Sequence, residues 1–271
     1  MRITTLLTSL LLTATTAQAL PPHPPSHIVV VIMENRAAAQ IIDSPDAPYI
    51  NQLAKRGANF TQSYAVGHPS EPNYLALFTG SMQGVTDDRC PIALEGPNLA
   101  SQILAAGRTF VGYAESQPVA GYTGCKTAGG YARKHVPWAN YAALPVAVSQ
   151  PWSQFPQQDF SRLPDLAIVV PNQANDMHDG TTAQGDAWLQ SHIDGYVRWA
   201  ATNNALLILT WDEDDSRHGN RIATILVGPM VKPGVYDQRI DHYSLLRTLE
   251  AIYGLPHLGA AAQASTIGGA W

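Results

Sequence analysis

Cysteine, charge and long apolar runs are all scarce in this chain. Only Cys90 and Cys125 occur among its 271 residues, and no Cys and His spacing resembles a zinc-thiolate site. Charged residues make up 14%, with 16 Lys and Arg against 21 Asp and Glu for a formal net charge of -5, and the basic residues are not clustered. That balance excludes the electrostatic footprint of a nucleic-acid partner. After the first residues, no segment has the roughly 20 apolar residues that span a bilayer, so stable membrane insertion is not expected. Internal repeats and a linker of shifted composition are also lacking, which favours one domain.

The N-terminus carries what the rest lacks. Residues 1–19, MRITTLLTSLLLTATTAQA, combine one Arg, a short apolar stretch and a small-x-small site at Ala17-Gln18-Ala19. This is the pattern of a secretory signal peptide cleaved after Ala19; the stretch is too short and too rich in Thr for a membrane anchor. Loss of Arg2 with the leader takes the net charge from -5 to -6. Residues 20–271 then suit a single catalytic α/β domain in the periplasm or the external medium. In that setting the even pair Cys90 and Cys125 is most simply a disulfide.

Apolar runs of strand length recur. His27 to Met33, Leu166 to Val170, Ala205 to Trp211 and Ile222 to Val227 read as buried strands, with Thr109 to Tyr113 as another. Helices are expected from Pro48 to Lys55, Ser70 to Phe78, Asn98 to Leu104, Asp186 to Thr202 and Asp241 to Tyr253, from their apolar faces and caps. Residues 114–160 are rich in Pro, Gly, Tyr and Trp and read as a long irregular segment. The alternation predicts an α/β fold with a mainly parallel sheet.

Three of the strands run into polar clusters: Glu34-Asn35, Asp212-Glu213-Asp214-Asp215, and Asn175-Asp176-Met177-His178-Asp179. Ligands in such sheets gather beyond the carboxyl ends of the strands, so these groups are expected to meet at one edge. Glu34, Asn35, Asp212 and Glu213 offer hard oxygen ligands to a divalent cation, and a cation would relieve the repulsion of four consecutive acids. Asp214 and Asp215 are expected to be solvated. Read alone, Asn35 is a helix cap and Glu34 a surface charge; their company argues otherwise. Ser70, at a helix start, is the candidate nucleophile, facing free backbone N–H groups, although the segment read alone favours an ordinary N-cap serine. His178, its tautomer fixed by Asp179, can protonate a leaving alkoxide. His68 either orients a phosphate or fills a turn, and Lys134-His135 would bring positive charge. Tyr131, Trp138 and Tyr141 are either substrate walls or packing.

At these residues the chain resembles the phosphoesterase family that groups bacterial phospholipases C with secreted acid phosphatases, and within it the small acid phosphatases of the SapM type. The segments that carry the likeness are Met33-Glu34-Asn35, Tyr49 to Leu53, His68 to Gly80, Tyr131 to His135, Asn175 to Gly180, Thr210 to Asp215 and Asp241 to Leu246. The resemblance implies an alkaline phosphatase-like α/β/α sandwich, metal ligands at Glu34, Asn35, Ser70, Asp212 and Glu213, attack on phosphorus by Ser70, and His135, His178 and Asp179 near the phosphate. It also implies an acid pH optimum. Ala37-Ala38-Ala39 departs from the bulkier residues of relatives and bears on pocket shape.

The expected activity is that of a secreted, metal-dependent acid phosphatase acting on phosphomonoesters, phosphoinositides among them, through a phosphoserine. Oxygen ligands favour Ca²⁺ or Mg²⁺; a histidine ligand would admit Zn²⁺ or Mn²⁺. A phospholipase C-type phosphodiesterase and a non-catalytic cation-binding protein remain as alternatives. A metal-free serine esterase is disfavoured, since Ser70 lacks the Gly-x-Ser-x-Gly elbow and the Asp212 cluster would have no role.

Overall fold

Strand β1, His27–Met33, has hydrophobic cores on both of its faces, and the rest of the molecule is arranged around it. Ile28, Val30 and Ile32 enter one core and Val29, Val31 and Met33 the other, as the two-residue period of a strand dictates. The computed structural model describes residues 20–271; the leader expected over 1–19 lies outside the described residues.

After β1 come α1 (Ala38–Ile41), α2 (Pro48–Arg56), β2 (Ala58–Tyr64), α3 (Ser70–Thr79), α4 (Leu99–Ala105) and β3 (Phe110–Ala114). Irregular chain with short 3-10 turns leads to β4 (Ser149–Pro151) and on to β5 (Leu166–Val170). The chain continues through α5 (Thr182–Ala200), β6 (Ala205–Trp211), β7 (Thr224–Val227), β8 (Gly234–Asp241) and α6 (His242–Tyr253). The strands form one eight-stranded sheet in the order β4-β3-β5-β1-β6-β7-β2-β8. β7 runs antiparallel to both neighbours, and every other pairing is parallel. Residues of α3, α4 and α6 line one core and those of α2 and α5 the other, giving an α/β/α sandwich.

The expected strands β1, β5 and β6 fall where their apolar runs lie, and the seventh is shorter than expected, beginning at Thr224. β2, with Asn, Thr, Gln and Ser among its seven residues, and β8, a polar edge strand, lack any apolar run and were not expected. α5 starts earlier than expected because the Thr181 side chain accepts from Gln184 N–H and caps it. Gly112 in β3 has a packing cause: a Cβ there would stand 2.1 Å from the Trp138 ring. Trp138, Tyr131 and Tyr141 are all buried in the core on the α3 side, so they pack and do not form substrate walls.

Cys90 and Cys125 are joined, closing a loop over a sequence separation of 35. Arg133 fastens the same region, its guanidinium donating to the carbonyls of Ile92, Thr123 and Ala139 and to Asn140 Oδ1. Replacing both cysteines by Ser should lower unfolding free energy by about 3 to 4 kcal/mol in the chain-entropy treatment. Urea titration of the two proteins measures it; an unchanged midpoint contradicts a constraining role.

Candidate active site

Strand register brings the first acids together. Met33 and Trp211 are paired at the ends of β1 and β6, so Glu34 and Asp212 emerge side by side. Asp212 N–H donates to the Met33 carbonyl at 3.0 Å, and Glu34 N–H to the Asp176 carbonyl at 2.8 Å, which draws the loop after β5 into the same edge. Asn35 is no helix cap: Ala37 precedes α1. With φ 50, a conformation Asn tolerates, Asn35 turns the chain and donates its N–H to Asp212 Oδ1 at 3.1 Å. Arg36 then ties this turn to the next loop, donating to the carbonyls of Asn35 and Gly180.

Ser70 is the first residue of α3, after Pro69 at the cap position, so its hydroxyl is not spent on capping. Buried at 1% exposure, it donates to Glu34 Oε2 at 3.1 Å and lies 3.5 Å from Glu213 Oε1. The helix end is less open to an anion than expected, because Asp88 Oδ1 accepts the Glu71 N–H at 3.0 Å. Three and four residues beyond Ser70, Asn73 and Tyr74 share its helix face. Tyr74 donates to Glu34 Oε1 at 2.6 Å. Asn73 donates to Glu213 Oε2 at 3.2 Å while its oxygen accepts from Val66 and Gly67 N–H, fixing the loop before the nucleophile.

Glu34, Asp176, Asp212 and Glu213 are all buried. Burial, with the charges of Asp212 and Asp176, pushes Glu34 well above the usual carboxylate range. Burial likewise raises Asp176, with Asp212 and Asp179 adding to it. Asp212 is pushed up to about 6 by burial, against hydrogen bonds from Asn35 N–H and Ser70. Glu213 is pushed up to about 9 by burial and then by Asp212 and Asp88. These shifts describe anionic groups crowded without enough positive charge.

The histidines divide into two environments. His135 is 1% exposed and stacks on Tyr74 at 5.3 Å between ring centres. Its Nε2 lies 3.1 Å from Glu34 Oε1 and its Nδ1 3.3 Å from Asp176 Oδ2, without hydrogen-bond directionality. Burial, then Lys134 and His178, lowers its pKa far below the ordinary value, so this imidazole is neutral and faces the buried acids, not the solvent. His178 is partly open; its Nδ1 lies 2.7 Å from Asp179 Oδ1 and its Nε2 3.2 Å from Lys134 Nζ. With Lys134 donating there, Nδ1 carries the His178 proton and donates to Asp179. Lys134 also pairs with Asp88 Oδ2 at 2.7 Å. Burial works against the Lys134 charge, but the Asp88 hydrogen bond and the nearby acids outweigh it and raise its pKa. His68 sits between Glu213 Oε2 at 2.8 Å and Asp214 Oδ1 at 3.3 Å.

Asp214 departs from the expected solvated acid. It is buried, and its carboxylate accepts N–H groups from Ser216, His218 and Asn220, which fold the loop after β6. Asp215 is half-buried and pairs with His218. Behind Asp212, His242 donates from Nε2 to its carbonyl at 2.6 Å. Asp176, Tyr74, Asn73 and Asp88 are the residues at this edge that lay outside the expected site. For Tyr74 and Asn73 the helical spacing from Ser70 was the available signal; for Asp176 it was its place after β5.

The donors fit a divalent cation. His135 Nε2, Asp176 Oδ2 and Asp212 Oδ2 are buried without a hydrogen-bond partner, an arrangement costly unless something positive meets it. Glu34, His135 and His178 also offer atoms within 4.8 Å of one another. On one side of the edge stand Glu34, Asn35, Ser70, Asp212 and Glu213; on the other, Lys134 and His178.

Comparisons with known proteins place the chain in a family. Residues 41–256 match the Phosphoesterase family. The phosphatidylinositol-3-phosphatase of Mycobacterium tuberculosis is 52% identical over 244 residues, covering 89% of this chain and 81% of that protein. A probable acid phosphatase of Kluyveromyces lactis is 30% identical over 78% of this chain, which spans about half of that protein, 54%. Among solved structures, a protein of the alkaline phosphatase superfamily from Vibrio parahaemolyticus superposes with a TM-score of 0.62 at 11% identity, covering 91% of this chain and 72% of that one, which shows the shared fold. With the match running over most of its length, the chain belongs to the phosphoesterase family and is a hydrolase of phosphoric ester bonds.

Proposed function

We propose that the protein is a secreted, metal-dependent phosphomonoesterase that acts through a phosphoserine at Ser70, with phosphoinositides among its substrates. The observation that supports it most is the Ser70 hydroxyl, not used as a helix cap and hydrogen-bonded to Glu34 within a cluster of buried carboxylates, with His178 offering an atom within 4.8 Å of that same Glu34. The substrate class draws on the Mycobacterium tuberculosis relative's name, and export on the signal-like leader.

Glu34, Asn35, Ser70, Asp212 and Glu213 would hold the cation. When bound, it supplies a Lewis acid that lowers the hydroxyl pKa and offsets phosphate charge. The oxygen-rich set favours Ca²⁺ or Mg²⁺, while the imidazoles of His135 and His178 beside it admit Zn²⁺ or Mn²⁺. Glu34 takes the Ser70 proton as Oγ forms the bond to phosphorus and the ester P–O bond breaks. Lys134 holds a phosphate oxygen, and His178, which takes a proton at Nε2 from solvent once Lys134 is on the phosphate, gives that proton to the departing oxygen. Water then attacks the phosphoserine and passes a proton to His178 Nε2, while Glu34 returns its proton to Ser70 Oγ as the P–Oγ bond breaks, releasing inorganic phosphate and free Ser70. Tyr74, Asn73 and His68 keep Glu34 and Glu213 in place.

Ser70→Ala should lower monoester turnover by at least about a thousandfold while leaving the unfolding temperature within a few degrees, since one hydroxyl is the attacking atom. Turnover near the parent rate would sink the phosphoserine route. Running a monoester beside a diester separates the phosphatase from a phospholipase C-type reading.

A second prediction concerns protons. Asp212 and Glu213 are raised above their unfolded values, so their contribution to the metal-free fold is full at acid pH. It is lost as pH rises through about 6 and then about 9. Cation binding needs the ionised forms, so it should release protons and should raise the unfolding temperature more at pH 8 than at pH 5. Calorimetric titration in buffers of different ionisation enthalpy reads the release directly; a buffer-independent heat at pH 7 would count against it.

A further inference from the structure

Asp88 sits on the irregular stretch between α3 and α4 and has no task in the chemistry above, yet its carboxylate joins the two sides of the site. Oδ1 accepts the N–H of Glu71, the residue after Ser70, and Oδ2 accepts from Lys134 Nζ at 2.7 Å. The ammonium in turn reaches His178 Nε2 at 3.2 Å. We propose that Asp88 is the positioning residue that aims Lys134 at the substrate phosphate and sets its distance from Ser70. This rests on the reading above that Lys134 faces phosphate.

Lys134 has a flexible four-carbon stem, and it stands beside the most acidic edge of the molecule. Glu34 and Asp212 both attract it. Without a competing partner, the ammonium would swing onto those carboxylates, where it would occupy cation ligands and leave the phosphate side empty. Asp88 supplies a competing anion, and Lys134 is largely buried where the two meet, with 12% of its side chain exposed. The pair is held on a common frame. Cys90, two residues past Asp88, is bonded to Cys125, and Arg133, beside Lys134, donates to the carbonyls of Ile92 and Thr123 on either side of that bond. Lys134 and Asp88 therefore keep their separation through covalent and buried polar links, not through the surface pairing alone. One carboxylate thus fixes the start of the nucleophile's helix and the cation that meets the phosphate.

The test is a double-mutant cycle read by KM for p-nitrophenyl phosphate and by inhibition with inorganic phosphate. Asp88→Asn keeps an oxygen for the Glu71 N–H and removes the charge facing Lys134. Both KM and the phosphate inhibition constant should rise about tenfold, the worth of one charge-assisted hydrogen bond, with kcat and the unfolding temperature changing much less. Lys134→Met should show the same rise, and adding Asp88→Asn to it should cost nothing further. Independent, multiplying effects would overturn the proposal, as would an Asp88→Asn protein that fails to fold. If Lys134→Met weakens phosphate and Asp88→Asn does not, only the role of Asp88 falls. If Lys134→Met leaves both constants unchanged, the phosphate-facing reading of Lys134 falls, and the role of Asp88 with it.

Discussion

The mutual repulsion of Glu34, Asp176, Asp212 and Glu213, buried at one strand edge, is the constraint to which the rest of this structure answers. Register at β1 and β6 places Glu34 and Asp212 together, and the backbone bond between Glu34 and Asp176 adds a third carboxylate from β5. Backbone hydrogen bonds from Glu34 to Asp176 and from Asp212 to Met33 keep the carboxylates together at that edge. Burial raises the pKa values of all four, and neighbouring acids add to it for Glu34, Asp176 and Glu213. The helix α3 meets part of it with hydroxyl and amide donors from Ser70, Tyr74 and Asn73, while Asp176 Oδ2 and Asp212 Oδ2 stay buried without a hydrogen-bond partner, an arrangement that a cation would fit.

Around the acids, positive charge is placed with care. Lys134 pairs with Asp88, His135 is buried among them with its pKa lowered by burial, and His178 is partly open with its proton directed to Asp179. The same edge therefore carries acidic groups and basic groups near one another, which supports the proposed division between a cation and phosphate oxygens. Asp214 contributes in another way: spending its carboxylate on three backbone N–H groups, it shapes the loop that presents Asp212 and Glu213.

Much of the core was legible in the sequence because strands buried on both faces are written as continuous apolar runs, as in Ile28 to Met33 and Ala205 to Trp211. β2 and β8 were not, since a mixed strand and an edge strand carry no such run, and their pairing is settled by contacts distant in sequence. In the site, Glu34, Asp212 and Glu213 were legible from their place after strands. Asp214 was misread because an acid that folds a loop through backbone donors has the same local sequence as a solvated one. Asp88 was illegible for a related reason: its partners, Glu71 and Lys134, meet it only in the folded chain.

The account stands on a cation resolving the buried carboxylates and enabling attack by Ser70. Its most direct test is hydrolysis of p-nitrophenyl phosphate by residues 20–271, purified, stripped with chelator and resupplied with single divalent cations. The account predicts loss of turnover on stripping and recovery with a particular cation; full turnover in a protein shown by elemental analysis to be metal-free would contradict it.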